Sequence, residues 1–255
     1  MSKKRGYLKC NGDIIIFSDD DDYYIDDYYF CKINDIYNNN PDCTITIAST
    51  LFHYEVNNSY SIKKINYNKP IDNKEFMRGF GYKYIKPGSM FTLSINAKKM
   101  KAINYEDLIC FNDMSLYLYG LLADGKVYPI VEAVGVYYVQ KHSMSSGVSS
   151  KYLLDNLNAK IDIGRKALEK NYFDGSFYKY WIYKQTLPTL ALFCGGRIIN
   201  IKEYNEVNMW TLKNLYFPYS FKAIFIGIKL RIKYLIMSTL QKSYTKNPAN
   251  FHDQA

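Results

Sequence analysis

Residues 13–22 read DIIIFSDDDD: Asp13, four apolar residues from Ile14 to Phe17, Ser18, and then four carboxylates from Asp19 to Asp22. A short unbroken apolar run reads as a strand buried on both faces, because polar alternation is needed only where one face meets water. The carboxylates then stand at the carboxyl end of that strand, where open α/β sheets bind ligands. Neighbouring carboxylates repel one another. A divalent ion such as Mn²⁺ or Mg²⁺ relieves that repulsion, since it takes oxygen ligands and bridges to a diphosphate. A solvated acidic turn is the plainer reading of four aspartates. The core strand immediately ahead of them favours the metal–diphosphate site.

The rest of the composition sets bounds. A chain of 255 residues, 48% hydrophobic and 22% charged, is long enough to bury a proper core. Its net charge of +9 is unevenly spread, with acids early and Lys and Arg abundant in the last hundred residues. Such a balance suits an anionic lipid surface or a nucleotide sugar. No nucleic-acid motif or basic-aromatic RNA signature is present, so nucleic acid is not an expected partner. The five cysteines (Cys10, Cys31, Cys43, Cys110 and Cys194) form no CxxC pair. They read as reduced thiols of a cytoplasmic protein. No apolar core of a signal peptide follows Met1.

Taken in order, residues 2–11 suit a short helix stopped at Gly12. Residues 23–39 suit a second helix, with Tyr24, Tyr28 and Cys31 as its inward stripe. The run CTITIAS at 43–49 is β-branched and alternating, hence a strand. Residues 53–75 are polar and rich in Asn and Lys, reading as a long loop that can hold a hairpin. A further strand is expected over 91–95.

The second informative block runs from residue 103 to 146. Asn112 can cap a helix and Asp113 falls in its first turn, where a negative charge suits the helix dipole. Leu116, Tyr117, Gly120 and Leu121 share one face, and Asp124-Gly125 stops the helix. Two short strands follow, VYPI and VGVYYV, then Lys141-His142-Ser143-Met144-Ser145. Taken by itself, Asp113 reads as a simple first-turn charge, and His142 as a surface-loop histidine.

Together the two blocks resemble family 2 glycosyltransferases, inverting enzymes of the GT-A fold. Gly12-Asp13, the strand Ile14 to Phe17, and Asp19-Asp20-Asp21-Asp22 are similar to the region around that family's DxD motif. Asn112-Asp113, the helix, its turn, the strands and His142 are similar to the family's acidic-pair block, with Asn112 replacing the first acid. The resemblance implies an α/β chain: a Rossmann-like mixed sheet with flanking helices, plus a helical C-terminal extension. It implies that Asp113 is the base that deprotonates the acceptor hydroxyl. It further implies that Asp19, Asp20 and Asp21 face the donor, and that Asp21, Asp19 and His142 hold Mn²⁺ or Mg²⁺.

The implied reaction moves a sugar, with inversion, from a nucleotide-sugar donor to a surface-glycan or lipid-linked acceptor. In the family a much longer span precedes the DxD strand than the 18 residues ahead of Asp19 here. That span holds the nucleotide base. The resemblance therefore implies an incomplete GT-A sheet, an upstream-encoded N-terminal half as partner, and an inactive or poorly soluble chain without it. The rival readings are a non-catalytic, N-terminally truncated remnant or a partner-binding protein, and an acidic-loop metal-binding module.

The resemblance covers roughly residues 3–146, and the partial glycosyltransferase domain is expected over 1–148. Residues 149–241 then read as a basic helical extension and 242–255 as a polar tail. Helices are expected over 151–170 and 177–193, the second interrupted by Pro188. Residues 221–240 are strongly apolar but carry Lys222, Lys229, Arg231 and Lys233, which argues against a spanning helix. On a helix the three lysines share one side, as suits an interfacial helix on anionic lipid at the cytoplasmic membrane face. Arg231 falls on the opposite side and breaks that pattern, and alternation from Ile228 to Tyr234 also permits a strand.

Overall fold

The computed structural model describes residues 2–140, 150–194 and 201–246. It contains seven strands in one mixed sheet and nine α-helices among the described residues. The chain divides into two compact units. One comprises residues 1–144 and 158–178, the other residues 145–157 and 179–255.

The first unit holds the sheet. Helix α1 (Ser2–Lys9) leads into β1 (Ile14–Ile16), and the acidic turn connects β1 to β2 (Tyr23–Tyr24). Then come α2 (Tyr29–Asn39), β3 (Cys43–Tyr54), β4 (Ser59–Lys63), β5 (Ile71–Asp72) and α3 (Asn73–Gly79). The rest of this unit's sheet segment is β6 (Leu93–Asn96), α4 (Ala97–Ala102), α5 (Asp113–Gly120) and β7 (Lys126–Val139). The strand order is β1-β6-β3-β7-β2, with β4 added to β3 and β5 to β7. Only β3 and β7 run parallel; every other pairing is antiparallel. The strand β1 therefore stands at one end of the order, paired to β6 through Ile15 opposite Ile95.

The central strand is β3, and the sequence explains how it survives there. Its apolar Ile45, Ile47 and Ala48 are buried, but so are Thr44, Thr46, Ser49 and Thr50. Each buried hydroxyl has a partner, which removes the cost of taking it out of water. Thr46 Oγ1 lies 2.6 Å from Ser94 Oγ and Thr50 Oγ1 2.8 Å from Thr92 Oγ1. Ser49 donates to the Val131 carbonyl at 2.7 Å and Thr44 to the Lys126 carbonyl at 2.8 Å. Alternation in CTITIAS thus reflects a hydrogen-bonded polar face inside the molecule rather than a wet one.

Two expectations are corrected. Residues 23–39 are not one helix: Tyr23 and Tyr24 pair with Val136 and Gly135 of β7, and α2 starts only at Tyr29. The helix consequently buries Tyr29 and Ile33, which pack with Ala48, Ile130 and Val134, while Tyr28 and Cys31 are exposed. The two short strands expected after Gly125 are one strand of 14 residues. It shifts register against β3 between Ala48 opposite Ile130 and Ser49 opposite Ala133, a bulge that breaks the apolar pattern without ending the strand. The loop expected over 53–75 contains the β3–β4 hairpin, with Phe52 opposite Ser61, and also β5 and the first residues of α3.

Helix α6 (Ser150–Glu169) feeds residues 158–169 into the sheet unit. Lys166 Nζ reaches the Tyr119 hydroxyl at 2.8 Å, Arg78 donates to the Tyr172 carbonyl at 2.9 Å, and Ile163 and Ala167 are fully buried.

The second unit contains most of α7 (Gly175–Leu192), which carries Pro188 inside it, α8 (Ile201–Asn214) and α9 (Tyr219–Lys246). Trp181 and Ile182 of α7 are buried, as are Val207 and Trp210 of α8, and Tyr183 stacks on Tyr219 with ring centroids 4.9 Å apart. The segment 228–234 is helical, so the strand permitted by its alternation does not form. No helix among the described residues is long and apolar enough to cross a membrane.

Candidate functional site

The first element of the site is the turn after β1. Because β1 ends at Ile16 and β2 begins at Tyr23, the four aspartates fill the connection between two strands of one sheet. Asp19 and Asp20 are exposed, while Asp21 and Asp22 are half-buried. The second element is the start of α5. Asn112 Oδ1 accepts from the Ser115 N–H at 2.9 Å, an N-cap that starts the helix there and sets Asp113 in its first turn.

These two elements meet at Lys3 of α1. Its ammonium lies 2.7 Å from Asp113 Oδ1 and 3.4 Å from Asp19 Oδ2. The two carboxylates, 94 positions apart in the chain, are thus no further from each other than those two distances together allow. Burial alone would lower the Lys3 pKa; Asp113 and Asp19 outweigh it and hold the ammonium above its ordinary value.

The third element is the end of β7. Burial raises the Tyr137 phenol, and it is raised further by the charges of Asp22, Asp113, Asp21 and Asp19. Acids from both motifs therefore act on one hydroxyl. Tyr117 of α5 likewise feels Asp113 and Asp19. Gln140, just past β7, donates to Asp21 Oδ2 at 3.0 Å. Ser89 donates to Asp22 Oδ2 at 3.4 Å, and Asp22 Oδ1 is buried with no hydrogen-bond partner. Burial, then repulsion from Asp21, pushes the Asp22 carboxyl up to about 6.

A cavity of about 270 Å³ lies beside these acids. Lys3, Gly6 and Tyr7 of α1, with Cys10 just past its end, form one wall, and Ile15 to Asp19 the other. The Tyr7 hydroxyl on this wall is buried and unpaired, and burial raises its pKa to about 12.

No protein-family model and no curated protein matches this sequence. Among solved structures, the chain is similar to S. aureus TarS, a glycosyltransferase crystallised as residues 1–349 in complex with UDP-GlcNAc. The TM-score is 0.59 at 12% identity, covering 99% of this chain and 73% of that one. The α/β fold, a mixed sheet with flanking helices, resembles that of this GT-A type neighbour.

Within this fold the sequence-designated residues fall as follows. Asp19, Asp21 and Asp113 come together with Asp22; Asp20 is exposed in the turn. His142 lies outside the described residues. Among those that are described, no three His, Cys, Asp or Glu side chains form a metal cage. A Mg²⁺-type site needs only one or two carboxylates when a substrate diphosphate completes the shell. The unpaired Asp22 Oδ1 and the repulsion between Asp21 and Asp22 fit that kind of site.

Four contributors escaped the sequence reading: Lys3, Ser89, Tyr137 and Gln140. Lys3 stands in a run of three basic residues that reads as a solvated face. The other three are ordinary polar residues that only the sheet register brings to the acids.

Proposed function

We propose that this protein transfers a sugar from a nucleotide-sugar donor to a surface-glycan or lipid-linked acceptor in one inverting displacement. The observation that carries this reading is the shared ammonium: Lys3 ties the acid that opens α5 to the acidic turn, beside a cavity, in a glycosyltransferase fold. The UDP-GlcNAc bound by TarS makes uridine diphosphate sugars the first donors to try.

In the proposed step an acceptor hydroxyl oxygen attacks the anomeric carbon. The bond from that carbon to the diphosphate oxygen breaks, and the hydroxyl proton passes to Asp113. One displacement inverts the configuration. Asp21 and Asp22, with Asp19 beside them, would hold Mn²⁺ or Mg²⁺, which would supply charge neutralisation for the departing diphosphate. Lys3 adds a positive charge between Asp113 and the acidic turn.

The test is release of nucleoside diphosphate across a panel of nucleotide sugars with Mn²⁺, using the chain together with any upstream-encoded segment. One donor is expected to turn over. Asp113→Asn should abolish turnover and leave donor binding largely intact. Activity that survives Asp113→Asn would put the proton acceptor elsewhere.

A further inference from the structure

Helix α9 presents an apolar stripe to solvent. Phe221, Phe225, Ile228, Ile232 and Leu235 are 62, 70, 43, 53 and 49% exposed, and steps of four and three residues keep them on one face. Over residues 220–227 the opposite face is occupied: Ser220 and Ala223 are buried, and a Cβ on Gly227 would meet Cys194 Sγ at 3.2 Å. So the stripe is not the side by which α9 packs into its own unit. An apolar face of this extent on a folded chain marks an interaction surface.

The charges identify the partner. Lys222, Lys229 and Lys233 each directly follow a stripe residue, which sets them along one margin. Arg231 directly precedes Ile232 and falls on the other margin. What reads in the sequence as a misplaced arginine is therefore one edge of a stripe bordered on both sides by cations. The 28 residues of α9 include six Lys or Arg and no carboxylate. A second copy of this helix would be repelled, while an anionic surface would be attracted. Long cationic side chains at the margins can keep their heads among lipid phosphates as the stripe sinks below them.

We propose that α9 lies in the plane of an anionic membrane, with its apolar stripe in the acyl boundary and its lysines on the headgroups. This goes beyond the sugar-transfer reading and stands without it.

The test is co-sedimentation of the whole chain with vesicles of phosphatidylcholine alone or mixed with phosphatidylglycerol. Binding is expected to the mixed vesicles, to weaken with salt, and to be negligible on phosphatidylcholine. Each lysine near such a surface contributes about fivefold in affinity, so Lys222→Gln, Lys229→Gln and Lys233→Gln together should weaken binding roughly a hundredfold. Phe225→Ser with Ile232→Ser should abolish it. Both variants replace exposed residues, and circular dichroism should show the parent's helicity and melting. Absence of binding to mixed vesicles, equal binding to phosphatidylcholine, or indifference to either variant would overturn the proposal. So would light scattering, without lipid, showing an oligomer that the stripe variant dissolves, which would give the face to a second copy.

Discussion

At the scale of single residues, the site is an arrangement of charges that need one another. Asp19 and Asp113 sit together because Lys3 lies between them. Replacing Lys3 by Met would leave two carboxylates facing without a cation and remove one positive group from the donor side. On the proposed function, Lys3→Met should weaken donor binding about tenfold or more, the usual worth of a hydrogen bond to a charged group, and Lys3→Arg should restore part of it. Calorimetry on both variants reads this directly. A second residue-scale prediction concerns Lys160, which is 2% exposed. Burial, with Lys86 nearby, lowers its pKa to about 7. Between about pH 7 and 10 the unfolded chain holds a proton there that the folded chain does not, so stability rises with pH across that window. Lys160→Met should remove that rise, seen as a flatter curve of melting temperature against pH. The aspartates and Asp113 were legible in the sequence because local cues place them, at a strand end and a helix start. Lys3, Tyr137 and Gln140 were not, since their roles depend on pairings that no local pattern encodes.

At the scale of elements, two details set the geometry. The bulge in β7 lets one strand follow β3 in parallel along its whole length and still deliver Tyr137 and Gln140 to the acidic turn. The turn from α5 into β7 depends on Gly125, whose φ is +142°. A Cβ there would fall 2.2 Å from the Asp42 carbonyl oxygen, which accepts the hydrogen bond from the Lys126 N–H. Gly125→Ala should therefore cost about 2 kcal/mol through backbone strain and steric shift, measured as a lowered urea midpoint. The start of α5 was readable because Asn112 caps it locally, but the stops were not: α1 ends at Lys9, ahead of Gly12, and α5 at Gly120, ahead of Asp124-Gly125. The start of α2 was misread because Tyr24, Tyr28 and Cys31 have the spacing of a helix while Tyr23 and Tyr24 have the composition of a strand, and pairing with β7 decides between them.

At the scale of the molecule, the sheet unit draws on sequence beyond residue 148. Residues 158–178 belong with it, through Lys166 on Tyr119, the ion pair of Lys170 with Asp124, and Tyr172 held by Arg78. A fragment ending at residue 178 should melt higher and aggregate less than one ending at 148, as differential scanning fluorimetry and light scattering would show. The α/β class with flanking helices was evident from the two motif blocks. Composition does mark a change near residue 149, but it cannot say which face of α6 the sheet takes up, because that depends on packing partners far away in sequence.

The central claim is that the acids after β1 and the acid opening α5 serve one donor pocket. It is tested most directly by calorimetric titration of a nucleoside diphosphate sugar into the protein, with and without Mn²⁺, using any upstream-encoded segment. The parent and Asp113→Asn should both bind in a Mn²⁺-dependent manner, while Asp21→Asn with Asp22→Asn should lose that dependence and most of the affinity. Donor binding that ignores Asp21 and Asp22, or no donor binding at all, would contradict it.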